Sequence, residues 1–406
     1  MQQPVLPGTA ASGQQTTLGV MGGGQLGRMF VQAAQRMGYF TAVLDPDPSS
    51  PAGLVSHIHI QADYLDAQAL AQMLQRCAAV TTEFENVPAG AMATLGAQRP
   101  VSPSAPCLAI AQDRIREKAH FQACGVPTAP YAVITNPEQL AAIDDALLPG
   151  ILKTAQLGYD GKGQRRVSNR AELAAAWAQL QAVPCVLERQ LALHSECSVI
   201  VARGWDGAMV TFPVQRNLHM AGILAMTEVF DGVVPAALAN QALQAARAIA
   251  QELQYVGVLC VEFFVVADPL APGGAALLVN EIAPRPHNSG HYTLDACDHS
   301  QFDLQVYTLA GLPLPTPRQH SPAVMLNLLG DLWYLHAGDV TGADAAPRTP
   351  DWMSVLALPG SHLHLYGKLR ASPGRKMGHL TLTGLTPQEV RDTAVQAAKL
   401  LGIRLA

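Results

Sequence analysis

A lysine, a glycine-rich turn bearing an acid and a base, and two later carboxylates set in apolar runs are the residues most able to do chemistry. Lys153 is followed closely by Gly158-Tyr159-Asp160-Gly161-Lys162-Gly163-Gln164. Glycines let backbone amides approach an anion, Lys153 and Lys162 supply positive charge, and Asp160 can accept hydrogen bonds, a combination suited to phosphate capture. The plainer reading is a β-hairpin turn with surface charges. Downstream, Glu262 and Asn280-Glu281 stand within or at the end of strand-like apolar runs. An unpaired carboxylate is costly to bury there, and a divalent cation relieves the cost. Glu262 alternates with Val261 and Phe263 and so shares a face with Cys260 and Phe264; a salt bridge to a core arginine is its alternative partner. Two carboxylates and an amide oxygen are hard donors that suit magnesium better than zinc. Together these pieces imply an enzyme that handles ATP with magnesium.

Three further motifs have competing readings. Gly22-Gly-Gly24-Gln-Leu-Gly27 fits G-x-G-x-x-G after a strand, with Asp45 closing the next strand, which alone points to a nicotinamide dinucleotide. Alternatively the glycines only permit a tight turn, and Asp45, before Pro46, starts a loop. In Pro284-Arg285-Pro286-His287-Asn288-Ser289-Gly290-His291, the two histidines have the spacing of zinc ligands on a helix, but the prolines and Gly290 disfavour that helix. Lys368-Leu-Arg370 and Gly374-Arg375-Lys376-Met-Gly-His379 form a basic cluster that suits a phosphate monoester, or else is a solvated face.

Elements of several kinds must position these groups. A chain of 406 residues with 49% hydrophobic content is long enough for two or three cores. With a net charge of -5 and dispersed basic residues it has no nucleic-acid footprint, so small-molecule substrates are expected. The 7 cysteines form no Cys-x-x-Cys pair, which favours reduced thiols in the cytoplasm. Residues 1–16 read as a loose tail without the features of a signal peptide. The densest apolar run, 256–267, is interrupted by Glu262 and is too short to span a bilayer. Strand, turn and helix alternate from Leu18 onward and predict a doubly wound α/β domain over 17–113. Residues 114–315 read as an α+β domain in which Asp268-Pro-Leu-Ala-Pro-Gly-Gly can join two strands as a hairpin. Residues 316–406 read as a small third domain ending in a helix from about Pro387 to Leu401.

The chain resembles the ATP-grasp superfamily, and within it the N5-carboxyaminoimidazole ribonucleotide synthetase family of purine biosynthesis. The resemblance runs from about Thr17 through Gly22 to Met29, Glu83-Phe-Glu-Asn-Val-Pro88, Gly158 to Gln164, Asn280 to His291 and Gly374 to His379. It implies an ATP-grasp fold with a Rossmann-like N-terminal domain, a central ATP-grasp domain and a small C-terminal domain. By resemblance Arg114, Lys153, the loop Gly158, Tyr159, Asp160, Gly161, Lys162, Gly163 and Gln164, the segment Glu188, Arg189, Gln190 and Leu191, and Glu196 and His219 surround ATP. Glu262, Glu281 and Asn280 hold magnesium, or manganese in its place. Glu83, Tyr159, Asp160, Lys162, Lys368 and Arg375 surround aminoimidazole ribonucleotide. Arg285, His287 and Asn288 face carboxyphosphate formed from bicarbonate, with Asp160 and Lys368 also at the reacting centre. Homodimers are common in the family, and no nucleic acid or membrane partner is implied. The chain departs from the family at Leu157-Gly158, where two glycines are frequent, and at Lys162, where arginine also occurs. The rival readings are a formate-dependent glycinamide ribonucleotide ligase of the same superfamily and a nicotinamide-dependent oxidoreductase.

Overall fold

Apolar strands that alternate with one-sided helices close into a parallel sheet covered on both faces. The computed structural model, which describes residues 3–9, 13–158, 163–268, 274–334 and 348–405, begins this way. Five parallel strands lie in the order Ile58–Ile60, Phe40–Leu44, Thr17–Met21, Ala79–Thr82, Val101–Ser102. Alternate residues serve opposite cores. Leu18, Val20 and Val43 pack with the helix Gln25–Arg36, while Met21, Ala42 and Leu44 pack with Ala67–Arg76 and Ala89–Gly96. Within the expected tail, the Val5 N–H donates to Ala310 O at 2.8 Å and Val5 O accepts from the Tyr39 hydroxyl at 2.6 Å.

The glycine turn before the helix Gln25–Arg36 is filled by the chain's own acids. Gly22 has φ +100, and a Cβ there would come within 2.6 Å of Glu83. The Gly23 N–H donates to Asp45 Oδ2 at 2.6 Å. The N–H groups of Gly24 and Gly27 donate to the two Glu83 oxygens at 3.0 and 3.2 Å. The position a pyrophosphate takes at such a helix N-terminus is thus taken by carboxylates, and the dinucleotide reading of this motif loses its site.

The rest of the chain builds two antiparallel sheets. The larger, of nine strands among the described residues, runs Ala275–Ala283, Gly257–Ala267, Leu193–Arg203, Gln215–Met220, Ile223–Val229, Ala323–Leu329, Lys376–Thr383, Ser361–Leu365, with Met209–Thr211 paired to Leu193–Arg203. The expected hairpin is present as the antiparallel pairing of Gly257–Ala267 with Ala275–Ala283. Strands of the 316–406 region extend the same sheet, because Ile223–Val229 pairs directly with Ala323–Leu329. The helix Pro387–Leu401 closes that end over Leu326, Leu380 and Leu382. The smaller sheet, in the order Tyr131–Ile134, Cys185–Arg189, Gly150–Thr154, Gln164–Val167, carries Lys153 and Glu188. No helix of the described residues is long and apolar enough to cross a membrane.

Asp45 also accepts from the Tyr64 hydroxyl at 2.7 Å and the Asp47 N–H at 2.8 Å. Removing a charged acceptor from three donors costs about 3 kcal/mol. Asp45→Ala is therefore expected to lower stability by about that much in urea unfolding while leaving the KM for ATP at the wild-type value. A variant of normal stability would contradict this structural role.

Candidate active site

The two antiparallel sheets and the edge of the N-terminal domain enclose a cleft of about 640 Å³. Arg114, Lys153, Gly158, Gly163, Gln164, Glu196, His219, Glu262, Asn280, Glu281, Arg285, His287 and Asn288 all line it. Tyr159, Asp160, Gly161 and Lys162 lie outside the described residues. Leu157, also at the wall, has φ +60 and is 75% exposed. A left-handed backbone costs a non-glycine residue about 1–2 kcal/mol.

Glu262 and Glu281 lie directly opposite each other on paired strands. The register then shifts, with Phe263 opposite Val279, so Asn280 is the extra residue of a bulge. A bulge re-aims its side chains, and here consecutive residues, Asn280 and Glu281, both reach the cleft. Burial raises the Glu262 pKa and the Glu281 charge raises it further, against the opposing pull of His219. Burial would raise Glu281 as well, but Arg114, 3.0 Å away, and Lys153 outweigh it and hold the carboxyl down. Glu281 thus has cationic partners, whereas the charge of Glu262 is opposed by burial and by the carboxylate across from it.

The donors fit a magnesium ion. Asn280 Oδ1, like both polar side-chain atoms of Asn288, is buried without a protein hydrogen-bond partner, and such orphaned groups mark a missing ligand. Cys260 and His287 offer softer atoms within 4.8 Å of Glu262. Burial, however, pushes the Cys260 thiol well above its usual pKa, leaving it a poor metal ligand. His291 turns away from its neighbour in the motif, its ring lying over Phe302 and His379 at 5.8 and 4.7 Å.

Cations and their partners ring this centre. Lys153 Nζ donates to Glu188 Oε2 at 2.9 Å. Glu196 lies 2.8 Å from His219 Nδ1; burial would lower the His219 pKa, but Glu196 and Glu262 outweigh it and raise it. Arg285 pairs with Glu85 of the N-terminal domain. Burial alone would raise the Glu85 pKa, but Arg285 brings it down to about 2. His287 has Nε2 3.3 Å from Glu262 and Nδ1 3.0 Å from Ser289 Oγ.

Other expected residues stand apart from this wall. The Glu188 side chain is buried between lysines, with Arg189 and Gln190 exposed beyond it. Glu83 is turned into the glycine turn. Lys368 donates to Lys376 O at 2.7 Å and Arg375 to Arg370 O at 2.7 Å. Burial, then the charges of Arg375 and Lys376, lower the Lys368 pKa to about 8, against the pull of Glu83. Lys376, whose carbonyl accepts from Lys368, itself lines the cleft. Sequence reasoning passed over Glu85, Glu117, Lys118 and Lys376. Glu85 and Lys376 sat inside quoted motifs. Glu117 and Lys118 gave no signal beyond a run of charge, yet both are buried, and Glu117 accepts the Ile282 N–H at 2.8 Å.

Comparisons with known proteins agree with this geometry. An ATP-grasp domain matches residues 119–302, a ribonucleotide synthetase preATP-grasp domain 15–112, and a phosphoribosylaminoimidazole carboxylase C-terminal domain 323–393. Fold and site define an ATP-grasp enzyme, an ATP-dependent ligase. The chain is 42% identical over 373 residues to the N5-carboxyaminoimidazole ribonucleotide synthase of Brucella melitensis, spanning 90% of this chain and 96% of that one. The Bacillus subtilis synthase is 38% identical over 369 residues, 90% of each chain. The ADP complex of an N5-carboxyaminoimidazole ribonucleotide synthetase superposes with a TM-score of 0.85 at 37% identity, over 99% of this chain and 98% of that one. The Aspergillus clavatus enzyme in complex with ADP and 5-aminoimidazole ribonucleotide gives 0.81 at 29% identity, over 95% and 98%. The chain belongs to the N5-carboxyaminoimidazole ribonucleotide synthase family.

The Glu85–Arg285 pair joins the N-terminal domain to the cleft. Glu85→Ala leaves a half-buried guanidinium without its carboxylate, for which about 2 kcal/mol of stability is expected to be lost in chemical unfolding. Turnover is expected to fall with it, since the Arg285 side chain loses the partner that fixes its direction. Glu85→Asp is expected to retain more of both than Glu85→Ala.

Proposed function

We propose that this cleft carries out the ATP- and bicarbonate-dependent carboxylation of the 5-amino group of 5-aminoimidazole ribonucleotide, giving N5-carboxyaminoimidazole ribonucleotide, ADP and phosphate. The observation that supports it most is the opposed pair Glu262 and Glu281, with Asn280 on its bulge, in one cleft with Arg114 and Lys153. Bicarbonate is a poor electrophile, and phosphorylation by ATP converts it to carboxyphosphate, whose carbon the amine can attack. Arg114 and Lys153 neutralise charge on the phosphates during transfer. Glu262, Glu281 and Asn280 hold magnesium, which when bound supplies the remaining positive charge at the phosphates. Glu196 accepts the ribose hydroxyls of ATP, and the 188–191 segment borders adenine. Arg285, His287 and Asn288 orient the carboxyphosphate, and exclusion of water protects it from hydrolysis. Asp160 orients the attacking amine, with Tyr159, Lys162 and Glu83 around the ribonucleotide and Lys368 and Arg375 on its 5′-phosphate. The family resemblance extends this proposal to a homodimer in the cytoplasm.

Full ADP release is expected only when ATP, magnesium, bicarbonate and aminoimidazole ribonucleotide are all present, as measured by omitting each in turn. Equal release with formate and glycinamide ribonucleotide would move the chain to the rival ligase class. Arg375→Ala is expected to raise the ribonucleotide KM about ten- to a hundredfold, the worth of one charge-assisted hydrogen bond, with the KM for ATP little changed. A loss falling mainly on ATP would place the 5′-phosphate elsewhere.

A further inference from the structure

Glu188 is one carboxylate held by two lysines. It is 3% exposed; one oxygen takes Lys153 Nζ at 2.9 Å and the other lies 3.1 Å from Lys118 Nζ. Lys118 is 1% exposed and comes from the helix Arg114–Ala123, outside the smaller sheet that holds Glu188 and Lys153. Its ammonium also lies 5.5 Å from the centre of the Tyr131 ring. A buried ammonium is costly, and one lysine already neutralises one carboxylate. The second makes the trio cationic. That surplus has a consequence when an anion enters the cleft, because Lys153 lines the cleft and Lys118 does not.

We propose that Lys118 is a positioning residue for ATP, holding the Glu188 carboxylate so that Lys153 can turn its ammonium to the triphosphate without stranding a buried negative charge. The proposal rests on the reading of Lys153 as a phosphate ligand. Without Lys118, Lys153 is the sole partner of a buried carboxylate, and each step it takes toward phosphate exposes Glu188 to an uncompensated desolvation cost. Glu188 then competes with ATP for the same cation.

The test is steady-state kinetics with ATP and ribonucleotide varied separately in Lys118→Met, Lys118→Arg, Lys153→Met and the double variant Lys118→Met/Glu188→Gln, with thermal unfolding of each. Lys118→Met is expected to raise the KM for ATP at least about tenfold while the ribonucleotide KM stays within about twofold, a split that separates binding from general damage. Lys118→Arg is expected to keep the wild-type ATP KM. The double variant removes the competing carboxylate along with its partner and is expected to bring the ATP KM at least about threefold below that of Lys118→Met. An unchanged ATP KM in Lys118→Met overturns the proposal, as does a loss shared equally by both substrates or one that the double variant does not recover. Should Lys118→Met fail to fold, Lys118→Gln takes its place, a rise of the ATP KM of about fivefold or more with the ribonucleotide KM unchanged supporting the proposal and an unaltered ATP KM overturning it. If Lys153→Met itself leaves the ATP KM unaltered, it is the assignment of Lys153 to ATP that fails.

Discussion

Glu262 and Glu281 face each other across a pair of antiparallel strands, and like charges in that position repel. At the separation of directly opposed side chains the repulsion amounts to about 3 kcal/mol for an effective dielectric near 20. Much of the molecule is arranged around that repulsion. The helix Arg114–Ala123 presents Arg114 to one acid, the smaller sheet adds the field of Lys153, and His219 leans on the other. A divalent cation held between the two acids, as proposed above, would relieve that repulsion and offer positive charge to a polyphosphate.

Much of the scaffold was legible in the sequence. The parallel sheet followed from strands and helices that alternate at short spacing, and the hairpin from a Pro- and Gly-rich turn between two apolar runs. Gln215–Met220 was not legible, because its residues Gln-Arg-Asn-Leu-His-Met lack the alternation of a half-buried strand. The reason is physical: this strand is interior to the sheet, with His219 in the cleft, so polar side chains replace the apolar face. The union of Ile223–Val229 with Ala323–Leu329 was hidden too. It is a pairing across a long stretch of chain, and the register of such pairs leaves no local trace.

The site was legible where a motif fixes chemistry and illegible where chemistry depends on a distant partner. Glu262, Asn280 and Glu281 could be picked out because acids are expensive in apolar strands. Glu85 sits two residues from Glu83 in one motif, yet the two turn to different tasks, one to Arg285 and the other to the glycine amides. Spacing alone could not divide them. The glycine turn that looked like a dinucleotide fingerprint proved to be a receptor for the chain's own carboxylates, a role that becomes visible only when Glu83 and Asp45 are brought beside it.

The continuous sheet from Ala275–Ala283 to Ser361–Leu365 also decides where motion can occur. Hydrogen-bonded strands resist sliding past one another, so the Glu262–Glu281 pair and the base of the C-terminal cluster share a single stiff platform. The four-stranded sheet is built on no strand of that platform, and its chain enters through Pro127, whose carbonyl accepts the Val279 N–H at 2.8 Å, and leaves toward Leu193. The two sheets are therefore joined by chain and side-chain contacts rather than by a shared ladder. Lys153 and Gln164 belong to the small sheet, whereas Glu196, His219, Glu262 and Glu281 stand on the platform, so the wall of the cleft is divided between the two sheets.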